Sequence, residues 1–303
     1  MANKNLIFVH GMGEGEYQNS YLNLYTLISK RYFEFHNIEL NNRYNFIKDI
    51  NWSIGTDRLQ LNIFNRIFPY TNYNSDPISA SGVSDLIELG KEIGTRLRNF
   101  VHFYIGDVIA YTTMHDNKIR ENYIKSIVPY VTKPFTIIAH SLGSVIFNDI
   151  LYHTKIWKSY KTYLSKGLTV EEFELYNKMN LTNKVNTIKK FDDFVTEVQK
   201  NFENFVSLGS PIGLFLQQDL SKFGEIPHGY ANSPLTEGLN QFWYNIYNDD
   251  DYFSYPVEPF FNDPKSKTKQ TIFDLKVSNS MSLKAHGKYW DDQNVANHIT
   301  RIL

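Results

Sequence analysis

Short apolar runs of strand length alternate along this chain with longer stretches of helical period, and that alternation leaves few folds open. A strand, a helix and a further strand in one sheet require a crossover. Repeated crossovers build a mostly parallel sheet with helices on its faces, an α/β architecture. The pattern predicts strands at 6–9, 46–51, 135–139, 205–208, 242–246 and 272–277. It predicts helices at 21–36, 83–101, 117–130, 144–153 and 293–303. No internal repeat or low-complexity linker divides the 303 residues, so one domain over 1–303 is expected. Two stretches exceed what a crossover needs: 52–82, with Pro69, Pro77 and several aromatics, and 154–203, polar and helical. Both are expected as cap- or lid-like insertions, with plain surface excursions as the alternative.

Composition closes off several classes of function. Lys and Arg total 31 against 32 Asp and Glu, a net charge of -1, so no global basic field exists for nucleic acid. The absence of cysteine removes disulfides, thiolate nucleophiles and zinc–thiolate sites. Residues 1–15 lack the long apolar run of a signal peptide, and no apolar run reaches the ~18 residues of a membrane span. A cytoplasmic protein is the expectation. No two histidines stand four residues apart, and the Asp249–Asp251 triplet lacks the glycine of a calcium loop, so no metal is expected.

The run KPFTIIAHSLGSVIFNDIL, residues 133–151, reads as strand, tight turn and helix with Ser141 at the joint. That is the context of a nucleophile elbow. A serine on such a turn projects above the sheet edge, and the free N–H groups of the new helix point toward an oxyanion formed there. Small residues two before and two after let strand and helix approach. Gly143 supplies one, and Ala139 stands where glycine is usual. The plainer reading makes Ser141 a helix cap.

Upstream, LIFVHGMGEGEY runs a strand into His10-Gly11-Met12-Gly13. A dinucleotide fingerprint fails there because Glu16 occupies the place of its last glycine, and no Gly-Lys-Ser/Thr follows to make a phosphate loop. A hydroxyl nucleophile needs a base, and the base an orienting acid. The chain order Ser, acid, His points to His286, which follows the last predicted strand. His228 is the weaker rival, His298 lies within the last helix, and His140 should turn its side chain away from Ser141. The acid should follow the strand at 242–246, where Asp249, Asp250 and Asp251 stand together.

These pieces resemble the α/β-hydrolase superfamily and, more narrowly, are similar to the DDHD-type intracellular phospholipases. The similarity rests on GDVIAYTTMHDNKIRENYIKSI, AHSLGSVIFNDIL, ENFVSLGSPIGLFL, YNIYNDDDYFSYPVEPFF and AHGKYWDD, and touches the chain in patches from residue 4 to 292. Departures occur. Tyr252-Phe253 follows the acid where the family has Pro-Val, and Pro256 or a neighbour replaces an arginine.

The resemblance implies an α/β-hydrolase fold and a serine hydrolase of carboxylic esters, chiefly of lipids, needing no cofactor. It implies a Ser141–His286–Asp251 triad, the acid being the last of the three aspartates, with Met12 and Leu142 N–H groups as the oxyanion hole. His10, Gly11, Phe68 and Tyr70, with Phe64 and Tyr73, are candidates for substrate binding. An acyl-ester or lipid substrate and transient contact with a membrane surface follow as expectations. The alternatives are hydrolysis of a small-molecule ester, thioester or amide, and a non-catalytic binding module on the same scaffold.

Overall fold

The computed structural model describes residues 3–11, 18–50, 52, 116–164, 185–215, 233–236, 238–262, 269–278 and 285–303. The predicted helix at 83–101 lies outside them, as do all of the first long stretch except Trp52 and the centre of the second, 165–184.

Among the described residues six strands form one sheet, β1 (Lys4–Val9), β2 (Tyr44–Ile50), β3 (Phe135–His140), β4 (Phe202–Leu208), β5 (Phe242–Tyr247) and β6 (Ile272–Lys276). Their order is β2-β1-β3-β4-β5-β6, and every neighbouring pair is parallel. The predicted strands are all present, each with ends shifted by at most three residues. The helices are α1 (Gln18–His36), α2 (Asp116–Ile127), α3 (Leu142–Leu164), α4 (Val185–Asn201), the single turn α5 (Glu258–Phe261) and α6 (Gln293–Ile302).

Both faces of the sheet are covered, which is why its strands read as apolar runs and not as an in–out alternation. Side chains alternate across each strand. Ile7 and Val9 of β1, Ile137 and Ala139 of β3 and Phe205 of β4 join one core with α2, α3 and α4. Leu6, Phe8, Ile138, Val206 and Leu208 join the other, under α1 and α6. In that second core Phe8 lies 5.0 Å from Phe46 and 6.4 Å from Trp290, ring centre to ring centre. Burying an aromatic of this size stabilises by about 1.5–3 kcal/mol.

Helix ends follow local chemistry. After α1, Asn37 takes a left-handed φ of 52° and its N–H bonds to the Phe33 carbonyl, the conformation asparagine tolerates better than other side chains. At the start of α6 the Asp292 carboxylate accepts the N–H groups of Asn294 and Val295.

Helix α3 is longer than the predicted 144–153 at both ends. It begins at once after Ser141, and its far half is held where buried Trp157 donates to Asp192 of α4 at 3.1 Å. The ends of the second long stretch therefore belong to crossover helices. Phe194, Val195 and Val198 of α4 pack on the sheet, and α4 runs directly into β4.

This order creates a switch point. The chain leaves β1 for β2 on one side, while β3 lies on the other side of β1. In open parallel sheets the crevice at the carboxyl ends of two such strands is where ligands bind.

Candidate active site

Ser141 follows the last residue of β3, at that crevice. Its φ is 50°, left-handed and costly for a residue with a side chain, about 1–2 kcal/mol. The surroundings hold it there. Ser141 N–H donates to the Leu208 carbonyl at 2.9 Å, and Ser144 Oγ donates to the Ser141 carbonyl. Ser144 Oγ also lies 2.7 Å from Ser210 Oγ, and both of these hydroxyls are buried. Ser144 and Ser210 thus brace the turn.

The small residues are required by close backbone approach. A Cβ on Gly143 would sit 2.2 Å from the His10 carbonyl oxygen, and one on Gly11 would sit 2.6 Å from Ser141 Cβ. Gly11 therefore lets the end of β1 lie against the serine. His10 is buried, its ring stacked on Trp52 at 5.4 Å, and Trp52 Nε1 donates to the His10 carbonyl at 3.0 Å. Two of the candidate substrate-binding residues, His10 and Gly11, thus lie beside Ser141 and shape its surroundings through backbone and ring. Ala139 packs in the α2–α4 core, where the smallest side chain after glycine still fits.

His286 reaches the serine from a 3-10 helix, Ala285–Asp291, that precedes α6. Its Nε2 lies 2.8 Å from Ser141 Oγ. On the other side its Nδ1 faces both Asp251 oxygens, at 3.1 and 2.9 Å. A carboxylate only accepts, so Nδ1 carries the proton and Nε2 presents its lone pair to the hydroxyl. The His286 side chain keeps 13% of its surface exposed, so a reacting group can meet it.

Asp251 lies on the turn after β5, closed by its own N–H donating to the Asn248 carbonyl at 3.0 Å. The turn sorts the three aspartates. Asp249 points outward to an ion pair with Lys276, and Asp250 N–H donates to the Asn248 side-chain oxygen at 3.1 Å. Asp251 alone of the three bonds to His286 and is buried. Burial works against its charge, yet the hydrogen bond from His286, the Phe253 N–H at 3.0 Å and the Tyr289 hydroxyl at 3.0 Å outweigh it. The carboxyl is held below the usual range. Burial and the Asp251 charge push the Tyr289 phenol well up, so it stays a donor. Gly209, with a φ of 55°, leaves room for this pair, since a Cβ there would lie 2.7 Å from the Tyr289 ring.

Leu142 opens α3, and its N–H, among the first four of the helix, has no carbonyl one turn back to serve it. Met12, Phe64, Phe68, Tyr70, Tyr73 and the rival His228 lie outside the described residues. His298 sits half-buried on α6. Two residues at the site, Tyr289 and His140, stand inside the quoted motifs AHGKYWDD and AHSLGSVIFNDIL but carry no role in the sequence reading. The first lies three residues beyond His286, one 3-10 turn, which is the available signal.

Among the described residues no cluster of three or more His, Asp or Glu side chains is placed to hold a metal ion. No described helix is long and apolar enough to cross a membrane. In comparisons with known proteins, the chain matches no family model and no curated protein.

Proposed function

We propose that this chain is an α/β-hydrolase-fold serine hydrolase that cleaves carboxylic esters, with acyl esters of lipids as its substrate class. The observation that carries the reading is the unbroken line Ser141 Oγ, His286 Nε2, His286 Nδ1 and Asp251, at 2.8 and 2.9 Å, mounted on a strained turn.

In this reading Ser141 Oγ attacks the ester carbonyl while His286 Nε2 takes its proton. The carbonyl oxygen gathers negative charge toward the Leu142 N–H, with a second donor expected from Met12. The tetrahedral adduct collapses, the C–O bond to the alcohol breaks, and His286 returns the proton to the departing oxygen. Water then attacks the acyl-serine with His286 again as base, releasing the carboxylic acid and restoring Ser141. Asp251 stays ionised throughout. It holds the imidazole tautomer and stabilises the imidazolium.

The apolar rim supports the lipid substrate class. Tyr252, 73% exposed, directly follows Asp251, and Phe253 sets its ring edge-on to His286 at 5.3 Å. Aromatic rings beside a polar centre suit an acyl chain with a wet carbonyl.

The test is an active-site-directed fluorophosphonate together with a chain-length series of acyl esters. Wild type is expected to label and to prefer longer chains, and Ser141→Ala to lose both labelling and turnover while staying folded. Labelling that persists in folded Ser141→Ala overturns the assignment.

A further inference from the structure

We propose that His140 is a positioning residue, setting the height of His286 over Ser141 through a hydrogen bond to the His286 backbone. The proposal rests on the serine-hydrolase reading above.

Strand parity puts the ring where it can act. His140 ends β3, two residues after Ile138, and so shares the face of the sheet under α1 and α6. The segment that carries His286 belongs to that layer, since Tyr289 and Trp290 are part of its core. The His140 ring therefore turns away from the Ser141 hydroxyl yet meets the base from below. Its centre lies 4.7 Å from the His286 ring, 5.9 Å from Tyr289 and 5.4 Å from Trp290. Only 3% of its surface is exposed.

Its Nε2 lies 2.7 Å from the His286 carbonyl oxygen, so Nε2 carries a proton and donates it. Burial, then the neighbouring His286, lower the His140 pKa to about 3, so the ring is neutral and holds one proton for this one bond. A neutral ring also adds no charge against the imidazolium that forms on His286.

The geometry closes a loop. From Ser141 the path runs through one peptide bond to His140, through its imidazole to the His286 carbonyl, out along the His286 side chain and back to Ser141 Oγ. Two hydrogen bonds, 2.7 and 2.8 Å, complete it. Nothing in this path is a long flexible side chain. A shift of the 3-10 segment that would carry Nε2 away from Oγ must first break the His140 bond. Misplacing reacting groups by about 1 Å costs about 10²-fold in rate.

Three substitutions separate this role from mere packing. His140→Gln places an amide N–H₂ where Nε2 stood. His140→Asn keeps the polarity but is too short to reach. His140→Phe keeps the ring and loses the donor. The expected result is near-wild-type kcat and fluorophosphonate labelling rate for His140→Gln, and both lowered about 10²-fold for His140→Asn and His140→Phe, with KM little changed. A packing role predicts the reverse order, with the aromatic replacement closest to wild type. Thermal unfolding of each variant shows which are folded, and the Gln–Asn comparison stands if the Phe variant is not. Folded His140→Asn or His140→Phe protein that labels at the wild-type rate overturns the positioning role and leaves the hydrolase reading intact. Wild type that neither labels nor cleaves esters overturns both.

Discussion

Acid should destabilise this protein well above the pH at which its carboxylates titrate, because two histidines, buried His140 and half-buried His153, are held uncharged. His140 and His153 each fall from the ordinary 6.5 to about 3, chiefly through burial. For His153 the charge of Arg120 adds to the effect, and Arg120 Nη1 lies 3.2 Å from the ring nitrogen Nε2, which accepts. The sign follows from where protons bind. Below about pH 6.5 the unfolded chain takes up protons that the folded rings refuse, so stability is full above that value. It falls from there to about pH 3 and levels off below. Each ring costs about 0.2 kcal/mol at pH 7 and about 2 kcal/mol at pH 5, so the pair removes about 4 kcal/mol over that interval. Total stabilities run at about 5–15 kcal/mol, so the loss is large. Half-buried His298, also lowered, adds in the same direction, while Asp274, raised by burial, opposes. Asp251, held low, adds no slope here, since its contribution is lost only as pH falls through its depressed value. Urea unfolding of wild type, His153→Gln and the double variant with His140→Gln between about pH 7 and pH 5 measures the slope. The single variant should lose about half of the pH dependence and the double nearly all of the part carried by these rings. A His153→Gln protein with the full wild-type slope would refute the reasoning.

Asp251→Asn should cut turnover about 10⁴-fold, because the imidazole loses both tautomer and charge partner. Asp249→Asn and Asp250→Asn should remain active, and loss of activity in either with Asp251→Asn unaffected would move the acid. Gly143→Ala should destabilise by about 3 kcal/mol or more, since its methyl meets the His10 backbone carbonyl at 2.2 Å and neither side is a flexible side chain. Denaturation midpoints check this, and a shift near zero would mean the elbow is looser than described. Tyr289→Phe removes one of the donors that keep Asp251 ionised, so the acidic limb of the pH–rate profile should move up.

Among the described residues every strand and most helices were legible because a sheet covered on both faces forces apolar runs, and crossovers force the alternation. The exceptions are instructive. The start of β4 is hidden because Glu203 and Asn204 are polar, and it is long-range pairing that makes them strand: Glu203 meets Lys4, and Asn204 donates to Thr136. The far half of α3 is hidden because beyond His153 the sequence turns polar, and Trp157 marks the face that packs on α4. In the site, Ser141 and His286 are visible from local context and chain order. The resemblance singles out Asp251 among the three aspartates, and the turn gives the physical reason, burying Asp251 and turning Asp249 out to Lys276. The sequence turns the His140 side chain away from Ser141 and shows no task for it, although the parity of β3 places it in the layer from which His286 arrives.

The distance along the chain between Ser141 and His286, 145 residues, has a consequence for synthesis. A ribosome adding about 5–20 residues per second needs roughly 7–30 seconds to pass from one to the other. During that time β3 and its turn exist without a base to activate the serine, and the His140 ring has no carbonyl to hold. A nascent or truncated chain that ends before the 3-10 segment can bury much of the sheet and still not react with a fluorophosphonate. Labelling therefore reports the docking of the last segment, not the formation of the elbow, and its onset during translation would time the final step of folding.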